Sequence, residues 1–263
     1  MRVATFNLLH GRSLTDGSVP EAALREAAAE LDADVVGLQE VDLRQERSAG
    51  ADQTAVVAEA LGAQWCRFVP ALHGTPGVAW TAATGDADAA ETEGGPAYGV
   101  GLVSRLPVRS WKARRFGPAP VGLPLMVPGT RGLTMVADEP RVALAAVIET
   151  SAGPVTVVTT HLSFVPGWNI RQLRRIARWA AAMPGPRVLL GDFNLPGAWP
   201  ALSTNGWTQA ARVATYPAWK PRVQLDHVLT HGMAAGEPAP TSRVLRLGVS
   251  DHCALVVDLP QMG

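Results

Sequence analysis

Six apolar runs in this chain end on a residue able to hold a cation or move a proton. They supply Asn7 in "TFNLL", Glu40 in "LQEVD", His161 in "TTHLS", Asp192 and Asn194 in "LLGDFN", Asp226 in "QLDHVL", and the Ser250-Asp251-His252 triplet. Carboxylate and amide oxygens are hard donors that suit a divalent cation such as Mg²⁺. Imidazoles beside carboxylates supply an acid/base pair. The two together are the equipment for cleaving phosphate esters. A strand end can hold a polar side chain rigidly at the rim of a core, so distant segments can converge on one site.

Each residue also has a plainer reading. A carboxylate ending a buried strand must be neutralised or bound, and Arg44 or Arg47 could neutralise Glu40. Asn7 could satisfy a turn. Asp192 and Asn194 alternate onto one side of a strand, and Gly191 lets another backbone approach, although Asn194 before Pro196 could cap a helix. Adjacent residues on a strand point to opposite faces, so Asp251 and His252 reach one pocket only through a turn or bulge. Asp226, with His227 beside it, or Asp251 could fix the tautomer of a catalytic imidazole. His161 alone reads as structural. Two strand-end histidines accompanied by four strand-end carboxylates favour function.

The elements that must carry these residues alternate in type. Strands are expected at 1–9, in "DVVGLQEV", "WCRFVPAL", "YGVGLVSR" and "LPVRSWKARRF", in a hairpin of "PRVALAAVIET" with "GPVTVVTTHLS", and in "PRVLLGDFN", "VQLDHVLTH" and "HCALVVDLP". Helical periodicity follows Pro20 and covers 52–62, 168–183 and a short stretch near 196–203. The 168–183 helix has Ile170, Leu173, Ile176, Ala177 and Ala180 on one face, and Arg171, Arg174, Arg175 and Arg178 on the other. Residues 73–97 read as a mobile surface loop. Residues 117–132 are apolar but too rich in Pro and Gly for a helix or a central strand. Single strands separated by helices, mixed with hairpin pairs, favour a layered α/β sandwich of two sheets over a doubly wound parallel sheet. No linker breaks the chain, so one domain over residues 1–263 is expected.

Bulk composition narrows the classes. The 263 residues are 47% hydrophobic and 17% charged, enough for a large core. Lys plus Arg equals Asp plus Glu at 23 each, so no global basic field grips nucleic acid. Cys66 and Cys253 lie far apart without metal-type spacing and read as buried hydrophobes in a reducing cytosol. No apolar stretch is long enough to span a bilayer. A soluble, cytoplasmic monomer without integral membrane association is expected. There is no phosphate loop ending in Lys-Ser/Thr, no GxSxG elbow, no HExxH and no paired CxxC, which argues against nucleotide-driven motors, serine esterases and zinc ribbons.

Taken in order, "TFNLL", "LQEVD", "YGVGLVSR", "THL", "GDFN", "LDHVL" and "SDH" resemble the signature blocks of the endonuclease/exonuclease/phosphatase (DNase I-like) superfamily, and they span residues 5 to 252. The resemblance implies a four-layered α/β sandwich, with two mixed, mainly antiparallel sheets face to face and helices outside. It implies a phosphoesterase dependent on Mg²⁺ or Mn²⁺. Glu40 would be the main metal ligand, with Asn7 and Asp251 nearby. His252, oriented by Asp226, would act as acid/base or contact the phosphate. Asp192 would align or deprotonate the attacking water, and Asn194 would hold a phosphate oxygen. His161 matches the second histidine of the DNase I-like and sphingomyelinase-like branches, and Tyr98 could border the site. No acidic partner for His161 stands in the sequence before it.

The substrate stays open at this level. A phosphodiesterase acting on a phosphoester is the first reading, and the ester could belong to a small molecule, a nucleic acid or a lipid headgroup. A DNA or RNA nuclease is the alternative within the enzymes, and a catalytically silent binding module is the alternative of another class. The "VGLPLMVP" run could contact a lipid, cover the site as a lid, or fold back on the core. Trp219 could wall the pocket.

Overall fold

The structure, a computed structural model, describes residues 1–88, 94–126, 132–233 and 238–260. In chain order the first half comprises β1 (Arg2–Asn7), α1 (Glu21–Leu31), β2 (Val35–Leu43), α2 (Gln53–Leu61), β3 (Trp65–Thr75), β4 (Ala79–Ala82), β5 (Ala97–Ser104), β6 (Val108–Phe116), β7 (Leu123–Met126) and β8 (Leu133–Val136). The second half comprises β9 (Arg141–Thr150), β10 (Gly153–His161), α3 (Trp168–Ala181), β11 (Arg187–Asp192), α4 (Trp199–Ser203), β12 (Thr208–Gln209), β13 (Asp226–His231), β14 (Thr241–Leu245) and β15 (Ala254–Asp258).

Two sheets hold the molecule together. One runs β14-β15-β1-β2-β5-β3-β4 and the other β12-β13-β11-β10-β9-β6. Alternation along the strands sorts their side chains into layers. Val3, Val35, Leu102, Leu144, Val157, Leu190, Val228 and Leu255 fill the space between the sheets. Phe6, Leu38 and Val256 face outward, where Leu24 and Leu31 of α1 and Val57 of α2 cover them. Val158, Leu189 and Leu229 face the other way, under Leu173 and Ile176 of α3. Burying a Leu or Ile side chain fully contributes about 1.5–3 kcal/mol, so each helix is held mainly by its apolar stripe. The expected layered sandwich is the fold observed.

Each sheet contains one parallel pair joined by a helical crossover. β1 and β2 flank α1, and β10 and β11 flank α3. The C-terminal ends of these four strands lie at one edge of the sandwich. Gly37 of β2 sits at a close approach of the two sheets. A Cβ there would run into Leu190 Cδ1 and stand 2.6 Å from Thr159 Oγ1.

Several expectations need correction. Residues 73–82 are not a loop: β3 continues to Thr75 and pairs with β4 in a hairpin, while 89–93 lie outside the described residues. Part of the Pro-rich run is ordered as β7, paired with β8 in a separate two-stranded ribbon. Pro124 is tolerated there because each strand has only one neighbour; residues 127–131 lie outside the described residues. Cys253 is buried but Cys66 is exposed, at the N-terminal end of β3 beside exposed Trp65. The short helix near 196–203 begins only at Trp199. β12 and β14 escape the sequence pattern because β12 has two residues and β14 carries no fully buried side chain.

Candidate active site

The inward-facing rows of four strands end on polar residues above the inter-sheet core. β1 continues Val3 and Thr5 into Asn7, and β10 continues Val157 and Thr159 into His161. β11 continues Val188 and Leu190 into Asp192, and Val228 of β13 leads back to Asp226. Register places His161 opposite Asp192 and Asp192 opposite Asp226. Asn7 reaches across from the other sheet. Its Nδ2 donates to Asp192 Oδ2 and to Glu40 Oε1, both at 3.0 Å. Its Oδ1 accepts from Leu9 N at 3.0 Å, so Asn7 serves its own turn as well as the site.

Glu40 arrives by a different route. Alternation points Gln39 inward, where it bonds Thr5 and Thr159 from the two sheets. Simple continuation would send Glu40 to the helix side. The register against β5 shifts between Leu38 and Val41, and Glu40 takes a positive φ of 54°. This β-bulge re-aims one side chain and brings the carboxylate to Asn7. Arg47 forms its ion pair with the fully buried Asp42 and not with Glu40, in bonds of 2.8 and 2.7 Å.

Asp251 and His252 share the pocket through the expected turn. Ser250 has φ 75°. Its hydroxyl donates to Asn7 O at 2.6 Å and accepts from His252 N at 3.0 Å. His252 Nδ1 lies 2.8 Å from Asp226 Oδ2, which also accepts from Thr215 Oγ1 at 2.6 Å. Nε2 lies 3.7 Å from Asp192 Oδ2, and the Tyr216 ring packs against the imidazole at 4.8 Å between centroids. Burial disfavours the imidazolium, but the charges of Asp226 and Asp192 outweigh it and lift His252 to about 10. Burial raises the Asp192 carboxyl, with the His252 charge pulling the other way. Asp192 Oδ1 is fixed by Asn194 N at 2.9 Å, and burial also raises Asp251.

His161 lacks an acidic backing partner and has a basic one. Arg141 Nη1 lies 3.4 Å from His161 Nδ1. A guanidinium and an amide NH2 can only donate, so donors approach both nitrogens of the His161 ring. Nε2 lies 3.2 Å from Asn194 Nδ2 and 3.6 Å from Asp192 Oδ2. Burial, then Arg141, then His252 hold His161 well below the usual histidine range, hence neutral. Asn194, at φ 50°, does not cap α4, whose preceding Ala198 has no side-chain bond; its Nδ2 donates to Leu162 O.

These groups share a pocket of about 560 Å³, walled by Glu40, Tyr98, His161, Asp192, Asn194, Asp251 and His252. Asp226 stands behind His252. His227 is not part of the site: it faces the other side of β13, stacks on Phe193 and bonds Leu195 O at 2.7 Å. Trp219 is 57% exposed, and Tyr216 forms the wall instead. Sequence reasoning missed Arg141, Thr215, Tyr216, His10 and Glu139, of which all but Thr215 line the pocket. Arg141 carried a usable signal, because a cation heading an otherwise apolar strand must find partners, and Asp138 and Glu139 stand just before it.

Asp192, Asp226 and His252 each offer a ligand atom within 4.8 Å of the others. That space already carries the His252–Asp226 hydrogen bond, so the trio is arranged to hold a proton. Glu40 and Asp251 enter no ion pair among the described residues. Two carboxylates outside any such ion pair, on the wall of one pocket, are donors of the kind a hard divalent cation takes.

The sequence pattern of the endonuclease/exonuclease/phosphatase family matches residues 4–252. The chain belongs to that family. Its members are generally hydrolases of phosphate esters. Solved structures agree on the fold at low identity. A Beutenbergia cavernae endonuclease/exonuclease/phosphatase is 21% identical with TM-score 0.62, and the match covers 100% of this chain and 72% of that one. A humanized D. rerio TDP2 is 15% identical with TM-score 0.57, covering 98% and 97%. Sphingomyelinase C from Streptomyces griseocarneus is 16% identical with TM-score 0.58, covering 98% and 98%. Curated protein sequences give no match. Among the described residues of this family member, no helix is long and apolar enough to cross a membrane.

Proposed function

We propose that this chain is a divalent-metal-assisted phosphodiesterase. The observation that carries the reading is the Asp226–His252–Asp192 relay sharing one pocket with Glu40 and Asp251. Glu40 and Asp251 would hold Mg²⁺ or Mn²⁺, with Asn7 fixing the glutamate. When bound, the cation neutralises phosphate charge and charge building on the departing oxygen.

The chain's own groups divide the remaining work. Asp192 is held at both oxygens by Asn194 N and Asn7 Nδ2, and burial raises it toward neutrality. It takes the proton of the attacking water as the new P–O bond forms and the ester P–O bond breaks. In-line displacement puts attacking and leaving oxygens on opposite sides of phosphorus. His252 touches Asp192, so it serves the same side: its Nε2–H donates to a phosphoryl oxygen and not to the leaving group. Asp226 holds the imidazolium in place. Neutral His161, Asn194 and Tyr98 border the same oxygens. Hydrolysis of bis-p-nitrophenyl phosphate with Mg²⁺, Mn²⁺ or EDTA tests this. Turnover that needs the cation and is lost in His252→Ala supports it. Cation-independent or absent turnover across a phosphodiester panel sinks it.

A further inference from the structure

The chain is neutral overall, but its charge is not evenly spread. Residues 150–225 contain eight Lys and Arg and a single acid, Asp192, which is buried in the site. Four of those cations, Arg171, Arg174, Arg175 and Arg178, are exposed along α3. None of the four forms an ion pair among the described residues. Arg171 rests on the Trp168 ring at 4.9 Å and Arg175 on Phe116 at 5.3 Å.

This helix leaves from the catalytic rim. Asn169 in its first turn donates to Asn194 O at 2.9 Å. Five residues later Arg174 Nε donates to Ser203 O at 3.0 Å. The segment 194–205 therefore runs beside α3, and Trp199, 55% exposed, lies within it. The seam ends in a cavity of about 380 Å³ outside the catalytic pocket, flanked by Arg174, Arg178, Asn205 and His231 over a Trp207 floor. At 1.5 Å per residue, Asn169 and Arg178 are about 14 Å apart along the helix. Cations without counter-ions beside an exposed indole are the features that bind single-stranded nucleic acid.

We propose that the seam between α3 and residues 194–205 is a track for a single-stranded polynucleotide substrate, with Arg174 and Arg178 holding a phosphate remote from the one being cleaved. This rests on the phosphodiesterase reading and assigns its substrate class. Arg171 and Arg175 flank the start of the track, and Trp199 offers a face to a base.

The test uses the full chain with Mn²⁺ and single-stranded DNA and RNA oligonucleotides of increasing length, beside a duplex and bis-p-nitrophenyl phosphate. The expected result is a kcat/KM at least tenfold higher for an octamer than for a dinucleotide. In R174E/R178E the octamer loses that gain through KM, the salt dependence of binding weakens by about two phosphate contacts, and bis-p-nitrophenyl phosphate turnover is unchanged. R178E is the second variant, since among the described residues the Arg178 guanidinium bonds only its own helix, at Arg174 O, and it should show part of the same loss. Rates independent of length, a variant that cleaves the octamer as well as the parent, or tighter binding of duplex would overturn the proposal. If the parent hydrolyses no diester, the phosphodiesterase reading fails by itself. Fluorescence anisotropy of a labelled octamer in EDTA then decides the track: tenfold weaker binding by R174E/R178E upholds it, and equal or no binding overturns it. Comparison of the DNA and RNA arms shows which strand the seam takes.

Discussion

Asp226→Asn isolates the interaction on which the proposed chemistry leans most. The His252 Nδ1 to Asp226 Oδ2 separation is 2.8 Å, and both side chains are buried. At an effective dielectric of about 20, unit charges at that distance attract by roughly 6 kcal/mol. Desolvation offsets much of this, and removing one partner of a buried pair costs about 3–5 kcal/mol. Asparagine keeps a polar contact, so the loss should fall near the lower bound, which corresponds to roughly two pH units. His252 stands at about 10 against an ordinary 6.5. A raised histidine stabilises the fold fully below the unfolded value, and that contribution fades as pH rises through the folded value. In the variant the fading still begins near the unfolded value but should be complete about two pH units lower, and the total contribution is smaller. Histidine NMR titration in EDTA, where no cation contributes, reads His252 directly, and thermal melts across pH 6–10.5 read the linked stability. Asp192, Asp251 and Tyr216 face the same ring and remain in both proteins. With metal restored, the alkaline fall in turnover should begin about two pH units lower in the variant, as the ring loses its charge. An unchanged His252 midpoint in Asp226→Asn would refute the reasoning.

Other consequences follow from the same contacts. Arg47→Met leaves Asp42 buried without its clamp and should lower stability by about 3–5 kcal/mol in urea unfolding. Gly37→Ala forces a methyl against Leu190 and Thr159 between the sheets and should cost about 1–3 kcal/mol by the same assay. Thr215→Val removes the 2.6 Å donor to Asp226. It should cost about 1–3 kcal/mol and reduce kcat while leaving KM for a small diester near the parent value.

Much of the site was legible because strand periodicity carries position. Asn7, His161, Asp192 and Asp226 each continue or begin an inward row of core residues, so the pattern that buries Val157 and Leu190 also aims His161 and Asp192. The other face of the same rule removes His227, which alternation turns toward Phe193. Glu40 resisted this logic, since its reach depends on a bulge against β5, a pairing no local pattern announces. Asp251 and His252 needed a turn, and Ser250 supplies it by bonding a strand 243 residues away. Thr215 and Tyr216 lie in irregular chain with no period to read, and their partners are set by tertiary contact. Arg141 backs His161 where the sequence offered no acidic partner, and its place beside that ring is set by tertiary contact.

The central claim is that carboxylates from β2 and the C-terminal turn hold a cation beside a relay built on β11 and β13. Parallel assays of the parent, Glu40→Gln and His252→Ala on bis-p-nitrophenyl phosphate, with Mn²⁺ titrated into each apo protein and binding followed calorimetrically, test it most directly. The account predicts that Glu40→Gln loses both cation binding and turnover, while His252→Ala keeps cation binding and loses turnover. Full cation binding in Glu40→Gln, or parental turnover in either variant, would contradict it.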